Sequence, residues 1–278
     1  MLKISTVPAR ITFGAALGFY MLFLLGPVYW MAVTSLKSSG EVFALPPTLV
    51  PHAPTWDNFV KVWSNGQIGR YVVNGLVVSG SAALITTMLA ALAAYGFAKF
   101  RFRGRKMLML SMIGAQMFPT TVVLLSLYSM AQVTGLIDTR AGLVIAHLAL
   151  ALPASVYILY SFLVNLPDDL IQAARVDGAP ERTIFLELAL PLIAPGLITV
   201  FLYSFMWSWN DLLYALTLIT SDSNRTIGAG LYMSFLGELD QDWGAAMAAS
   251  LTCSAPIILI FGALQRYFIQ GLMAGAVK

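Results

Sequence analysis

Five consecutive residues carry most of the polar chemistry found in the apolar stretches of this chain: Trp207-Ser208-Trp209-Asn210-Asp211. Amide and carboxylate groups hydrogen-bond hydroxyls, and indole faces stack on the C–H side of a pyranose, so the group has what a sugar contact needs. Asp211 is the one carboxylate well inside a stretch apolar enough to cross a bilayer, where an unpaired charge is expensive. Two readings stand. Asn210 and Asp211 pin helix packing by bonding a neighbouring backbone, or Asn74 or Gln116, as such pairs do near helix ends. Alternatively Asn74, Gln116, Trp207, Asn210 and Asp211 line a substrate path.

Other chemistry is hard to find. No Gly-rich loop leads into Lys-Ser or Lys-Thr, so there is no phosphate cradle, and neither a nucleophile elbow nor a zinc-helix pattern occurs. His52 and His147 stand alone in sequence and read as structural. The single cysteine, Cys253, lies in an apolar run, which excludes an intrachain disulfide and a Cys-based metal site. A proton relay needs several intramembrane carboxylates, which disfavours a stand-alone secondary carrier. The expectation is a chain that is no enzyme and binds no cofactor, catalytic residue or metal of its own.

The elements that would hold these residues follow from composition. The 278 residues are 59% hydrophobic and 10% charged, against about 25% charged in soluble domains. The solvent must be lipid. The net charge of +3 is not clustered with aromatics on a polar domain, so nucleic acid is not an expected partner. Six apolar runs are read as spans of one all-α transmembrane domain, 1–278: about 11–36, 71–97, 107–131, 141–164, 196–219 and 244–268. The first is too long for a signal-peptide core and is expected to stay uncleaved. Pro119 predicts a kink with a free carbonyl at Ala115, and Pro153 an interruption of the fourth span. Trp56, Phe59, Val60 and Trp63 form one side of a short helix lying on the membrane surface. Lys37, Lys61, Arg70, Arg140 and Arg225 fall outside and the other eleven of sixteen Lys and Arg inside, led by Lys99, Arg101, Arg103, Arg105 and Lys106. The positive-inside rule then puts both termini in the cytoplasm.

Residues 165–195 are the longest polar-rich segment between spans. Pro167 stops one helix, Asp168 is suited to N-cap the next, Gly178 suits a left-handed end, and Pro180 suits the start of another. The expected product is a helix-turn-helix knob with an apolar stripe of Ile171, Ala174, Ile184, Phe185 and Leu188, fit to dock in a groove of another protein.

Within that segment, Gln172-Ala173-Ala174, then three residues, Gly178, then nine, and Leu188-Ala189-Leu190-Pro191 resemble the coupling motif of ABC importer permeases, as does Asp177-Gly178-Ala179. Gln172 stands where the family has Glu, which removes a charge, and Leu188 where it has Ile. Thr55-Trp56-Asp57-Asn58-Phe59, Ala93-Ala94-Tyr95-Gly96-Phe97-Ala98, Met117-Phe118-Pro119, Trp209-Asn210-Asp211 and the tail from Gln265 to Lys278 extend the likeness to the smaller permease of maltose-type sugar importers. The resemblance implies a type I importer fold in a bacterial-type inner membrane. It implies a second six-span permease, two cytoplasmic ATPase subunits that hold ATP and Mg, and an external sugar-binding protein. Gln172, Ala173, Ala174, Asp177, Gly178, Ala179, Phe185, Leu188 and Pro191 would couple to the ATPase, and Thr220–Trp243, with Asn224, Arg225, Tyr232 and Glu238, would meet the binding protein. A polyol or glycerol-phosphate cargo is the alternative within the same architecture.

Overall fold

The computed structural model describes residues 7–64, 66–237 and 241–276, with side chains between 11 and 265. All regular structure among them is helical. Apart from short turns, the helices are α1 Val7–Ser35, α2 Asp57–Ser64, α3 Gln67–Lys99, α4 Arg105–Ala115, α5 Thr120–Val133, α6 Arg140–Val164, α7 Asp168–Val176, α8 Glu181–Leu192, α9 Ala194–Trp209, α10 Leu213–Leu218, α11 Ile227–Phe235 and α12 Trp243–Ala276.

In lipid every backbone N–H and C=O must be satisfied within the segment, which leaves the helix as the economical spanning form. Among the described residues, Ile11–Ser35, Gln67–Lys99, Arg140–Val164 and Trp243–Gln265 are each long and apolar enough to cross. Two bent pairs, α4 with α5 and α8 with α9, bring the number to as many as six if each pair makes one span. At 33 residues α3 is about 50 Å long, well beyond a hydrocarbon core of about 30 Å.

The prolines act differently from expectation. At Pro119 the chain does not kink but breaks, α4 and α5 meeting at 100°. The Ala115 carbonyl is not left free: it accepts the Phe118 N–H at 3.4 Å. Pro153, by contrast, is carried inside an unbroken α6. The apolar run over 196–219 is divided, because α9 ends at Trp209 and α10 begins at Leu213.

By contacts the chain divides into two compact units. In the first, Met1–Ile68 with Leu231–Ala255, the Asn58 amide donates to the carbonyls of Ser35 and Lys37 at 2.9 and 2.8 Å, seating α2. Trp56 and Trp63 of the amphipathic stretch stay exposed. Lys37 is buried, its ammonium donating to the Thr48 carbonyl at 2.6 Å and lying 4.6 Å from the Trp30 ring. Between Ile11 and Trp30, α1 is exposed on every side within this chain.

The second unit, Gly69–Gly230 with Pro256–Lys278, holds two apolar clusters. One packs Ala90, Ala94 and Tyr95 of α3 with Leu159 and Leu163 of α6, Ala189 of α8 and Val200 of α9. The other packs Val78, Leu124, Leu143, Tyr214 and Leu218. Small residues on α3 let the neighbouring backbones come close, which is how membrane helices gain contact where lipid offers no hydrophobic drive.

Candidate functional site

The knob begins at Pro167. Asp168 is in the first turn rather than capping: its Oδ1 accepts a hydrogen bond from Lys99 Nζ at 2.8 Å, and that contact holds its carboxyl below the usual range. The expectation of Asp168 as an N-cap was wrong because a lysine at the end of α3 competes for the same oxygen. At the other end of α7 the backbone closes in a Schellman motif. Ala179 N–H donates to the Ala174 carbonyl at 3.0 Å and Gly178 N–H to that of Arg175 at 3.1 Å. Gly178 has φ 81°, which a side chain resists.

A salt bridge braces the two limbs. Arg175 Nε donates to Glu181 Oε1 at 2.7 Å, and the Tyr95 hydroxyl donates to Oε2 at 3.0 Å. The Arg175 hydrogen bond is the main reason the Glu181 carboxyl sits below its ordinary range. Over Ile184–Ala189 α8 widens into a π-helix, and Ile184 and Ala189 turn inward there. Phe185 lies with its ring 5.0 Å from that of Tyr95.

The apolar stripe therefore faces the opposite way from expectation. Ile171 and Ile184 are buried within the chain itself, at 4% and 1% exposure. The face left outward carries Gln172, Ala173, Val176, Asp177 and Gly178, with Val176 87% exposed. Ala174, Ala179, Phe185 and Leu188 are half-buried, and Pro191 is exposed.

A second site opens where α9 gives way to α10. A cleft of about 660 Å³ is lined by Thr120, Tyr203, Trp207, Asn210, Asp211 and Tyr214, among others. Asp211 is not held by Asn74 or Gln116. Its Oδ1 accepts the Tyr214 N–H at 3.2 Å and its Oδ2 the Ala215 N–H at 2.9 Å, capping α10. Its Oδ2 also lies 3.2 Å from His147 Nε2, off the axis along which a ring N–H donates. On the far side of the imidazole, Nδ1 and Ser208 Oγ are 2.6 Å apart. His147, read from the sequence as structural, is buried here; what the sequence did not show is that its neighbours are Asp211 and Ser208. Asn210 donates to the Met206 carbonyl at 2.8 Å and is exposed to the cleft. Trp209 is turned away, buried and stacked at 5.7 Å on Phe205, so one indole rather than two faces the cleft.

Asn74 and Gln116 do not line this cleft. The Asn74 amide is buried and donates to the carbonyls of Ser223 and Arg225 at 2.8 and 2.9 Å, and Gln116 is exposed at the end of α4. The segment that Asn74 holds is tied down elsewhere. Asp138 Oδ1 accepts from the N–H groups of Thr220 and Ser221 at 3.0 and 2.9 Å and from the Ser221 hydroxyl at 2.9 Å. The Asn224 amide donates to the Asp138 carbonyl at 2.7 Å, and Asp222 gathers Arg70, Tyr71 and Arg225. Asn224 and Arg225 are therefore part of an internal brace. Tyr232 on α11 is 39% exposed, and Glu238 lies outside the described residues.

The chain is 34% identical to the inner membrane ABC transporter permease protein YcjP of Escherichia coli, over 97% of each chain. It is 32% identical to the trehalose/maltose transport system permease protein MalG of Thermococcus litoralis, over 91% of each. A diacetylchitobiose uptake system permease of Streptomyces coelicolor, NgcG, is 31% identical over 95% of this chain and 87% of its own. In fold it matches a crystallised bacterial ABC transporter that imports the polysaccharide alginate, with TM-score 0.82 and 19% identity, covering 95% of this chain and 98% of that one. The chain is a multi-pass inner membrane transport subunit with the type I importer permease fold. Residues 83–273 match the model of the binding-protein-dependent transport system inner membrane component, and the chain belongs to that family.

Proposed function

We propose that this chain is the permease of an ATP-driven importer of a sugar or oligosaccharide, forming half of a translocation path with a second, homologous permease. The observation that carries this reading is the rigid knob between α6 and α9. Its turn is closed by a Schellman motif, its limbs are joined by Arg175 and Glu181, and Gln172, Ala173, Val176, Asp177 and Gly178 are exposed on its outward face. That is a surface suited to seat in a groove and transmit a push without deforming. Two ATPase subunits supply the energy and bind ATP and Mg; an external binding protein delivers the cargo near the braced segment Thr220–Arg225. The termini face the cytoplasm, by the distribution of Lys and Arg.

Relatives that carry trehalose, maltose and diacetylchitobiose favour a carbohydrate cargo. The cleft agrees: it is lined by the Trp207 indole, the Tyr203 ring and the Asn210 amide, the Tyr214 hydroxyl being taken by the Thr120 carbonyl at 2.7 Å. No Lys or Arg lines it, so a phosphate ester would find no counter-charge there, which favours a neutral sugar over a glycerol phosphate.

The test is purification of the chain from its native membrane in mild detergent, with identification of co-purifying proteins and an ATPase assay across candidate sugars. Recovery of a P-loop ATPase and a second permease, with hydrolysis stimulated by one sugar through its binding protein, is the expected result. A chain that purifies alone and moves solute after reconstitution would overturn the proposal.

A further inference from the structure

We infer that the groove at the start of α4 binds an anionic phospholipid. It is a cavity of about 870 Å³ walled by Phe102, with Arg105 and Lys106 at one end and Met109, Leu110 and Ile113 leading away from them. No carboxylate lines it. The basic cluster of which it is part runs Lys99, Arg101, Arg103, Arg105, Lys106. Among the described residues, Lys99 is the member that pairs with a carboxylate, Asp168, and it does not line the groove.

The geometry is that of a headgroup seat with an acyl track. Arg105 is held in place, donating from Nη2 to the Tyr160 hydroxyl at 2.7 Å with its guanidinium 5.5 Å from the ring centre. A guanidinium fixed on one side keeps its remaining N–H donors for a phosphate. Beyond it, Met107, Leu110 and Ile113 stand 77%, 57% and 43% exposed at three-residue intervals along α4. With 11 residues α4 is about 16 Å long, which is about half of a 30 Å hydrocarbon core. The break at Pro119 ends the track one leaflet deep. A soluble anion would use the cations and leave this apolar run idle; a phospholipid uses both. Assigning the site to the inner leaflet rests on the orientation proposed above.

The test is native mass spectrometry of the detergent-purified transporter titrated with dioleoyl-phosphatidylglycerol or dioleoyl-phosphatidylcholine. The wild type retains phosphatidylglycerol selectively. Loss of one cation weakens retention about fivefold, so Arg105→Gln with Lys106→Gln weakens it about 25-fold, while Lys106→Arg preserves it. Leu110→Trp, which fills the track with both charges intact, also weakens retention. A photo-crosslinking side chain at Ile113 gives a lipid adduct. Equal retention of both lipids, retention unchanged in the double variant, or a crosslink to a polypeptide in place of lipid would each overturn the site. Thiol labelling of Arg103→Cys in a Cys253→Ser background tests the orientation separately. Labelling only from the outer side would overturn the leaflet assignment while the mass spectra still report on the groove.

Discussion

His147 and Asp211 meet across two helices: Nε2 and Oδ2 are 3.2 Å apart, and the two side chains are 2% and 6% exposed. The pair sits at the one place where the apolar run after the knob stops being a helix, and with Ser208 it ties α6 to the α9–α10 break. The Asp211 side chain here satisfies N–H groups of Tyr214 and Ala215 that lipid cannot.

We predict that Asp211→Ala destabilises the chain by about 1 kcal/mol for the lost cap alone, with an added penalty for the unsatisfied N–H groups of Tyr214 and Ala215. Asp211→Asn, which keeps one acceptor, costs less. In a double-mutant cycle with His147→Ala, the coupling falls between about 0.5 and 3 kcal/mol. Unfolding followed in detergent reads all four forms. Additive effects would show that the imidazole and carboxylate are mere neighbours.

Gly178 carries a second prediction. Nothing lies within 4 Å of where a Cβ would stand, so a substitution there meets only the left-handed backbone itself. Gly178→Ala should cost about 1–2 kcal/mol and leave the chain folded, and Gly178→Val should disturb the turn further because a branched residue resists φ 81° more strongly. The Val variant is expected to lose sugar-stimulated ATPase activity while the assembled transporter is still recovered. Normal stimulated hydrolysis in it would remove the turn from the coupling mechanism.

How much of this was readable in the sequence depends on how local the cause is. Gly178 and Pro180 announce their turn because φ preference belongs to one or two residues. The positions of α1, α3, α6 and α12 follow from runs of apolar residues, again a local property. Partner choice is not local. Asp168 looks like a cap until Lys99, far away in sequence, takes its oxygen, and Asp211 gives no hint that its neighbour is His147 rather than Asn74. Ile171 and Ile184 looked like a docking stripe because periodicity shows that a face is apolar, not which body it meets. The groove beside Arg105 was half legible: the basic cluster marked a membrane boundary, but the apolar track depends on the break at Pro119.

The brace around Asp222 and Asp138 gives a pH prediction. The Tyr71 hydroxyl donates to Asp222, and the charges of Arg70 and Arg225 add to it, holding that carboxyl below the usual range. The Ser221 N–H, with further donors from Ser221 and Thr220, does the same for Asp138. A carboxyl whose folded pKa is depressed stabilises the fold above its unfolded value of about 3.9. That contribution is lost as pH falls through the lowered value, because the unfolded state then takes up the proton first. Thermal unfolding of wild type and Asp222→Asn should therefore differ by a constant amount above about pH 5 and converge below about pH 4. A gap that stays the same at pH 3 would mean that Asp222 acts by shape rather than by charge.

The final prediction separates the two faces of the knob. Ile184 is 1% exposed and belongs to the chain's own packing, whereas Val176, 87% exposed, contributes almost nothing to it. Ile184→Ala should cost about 2–5 kcal/mol of stability; Val176→Asp should leave unfolding unchanged to within about 0.5 kcal/mol, as surface substitutions do. In the assembled transporter the ranking reverses in kind. Val176→Asp puts a charge in the middle of the outward face and is expected to strip the ATPase from the purified complex, while Gln172→Glu, on the same face, leaves ATPase coupling intact or improves it. Co-purification ratios and stimulated hydrolysis, measured beside melting temperature, read both properties on the same samples. If Val176→Asp keeps its ATPase and full coupling, the outward face is not the docking surface. A large loss of transport in Gln172→Glu would instead show that the amide makes a contact that a carboxylate cannot replace.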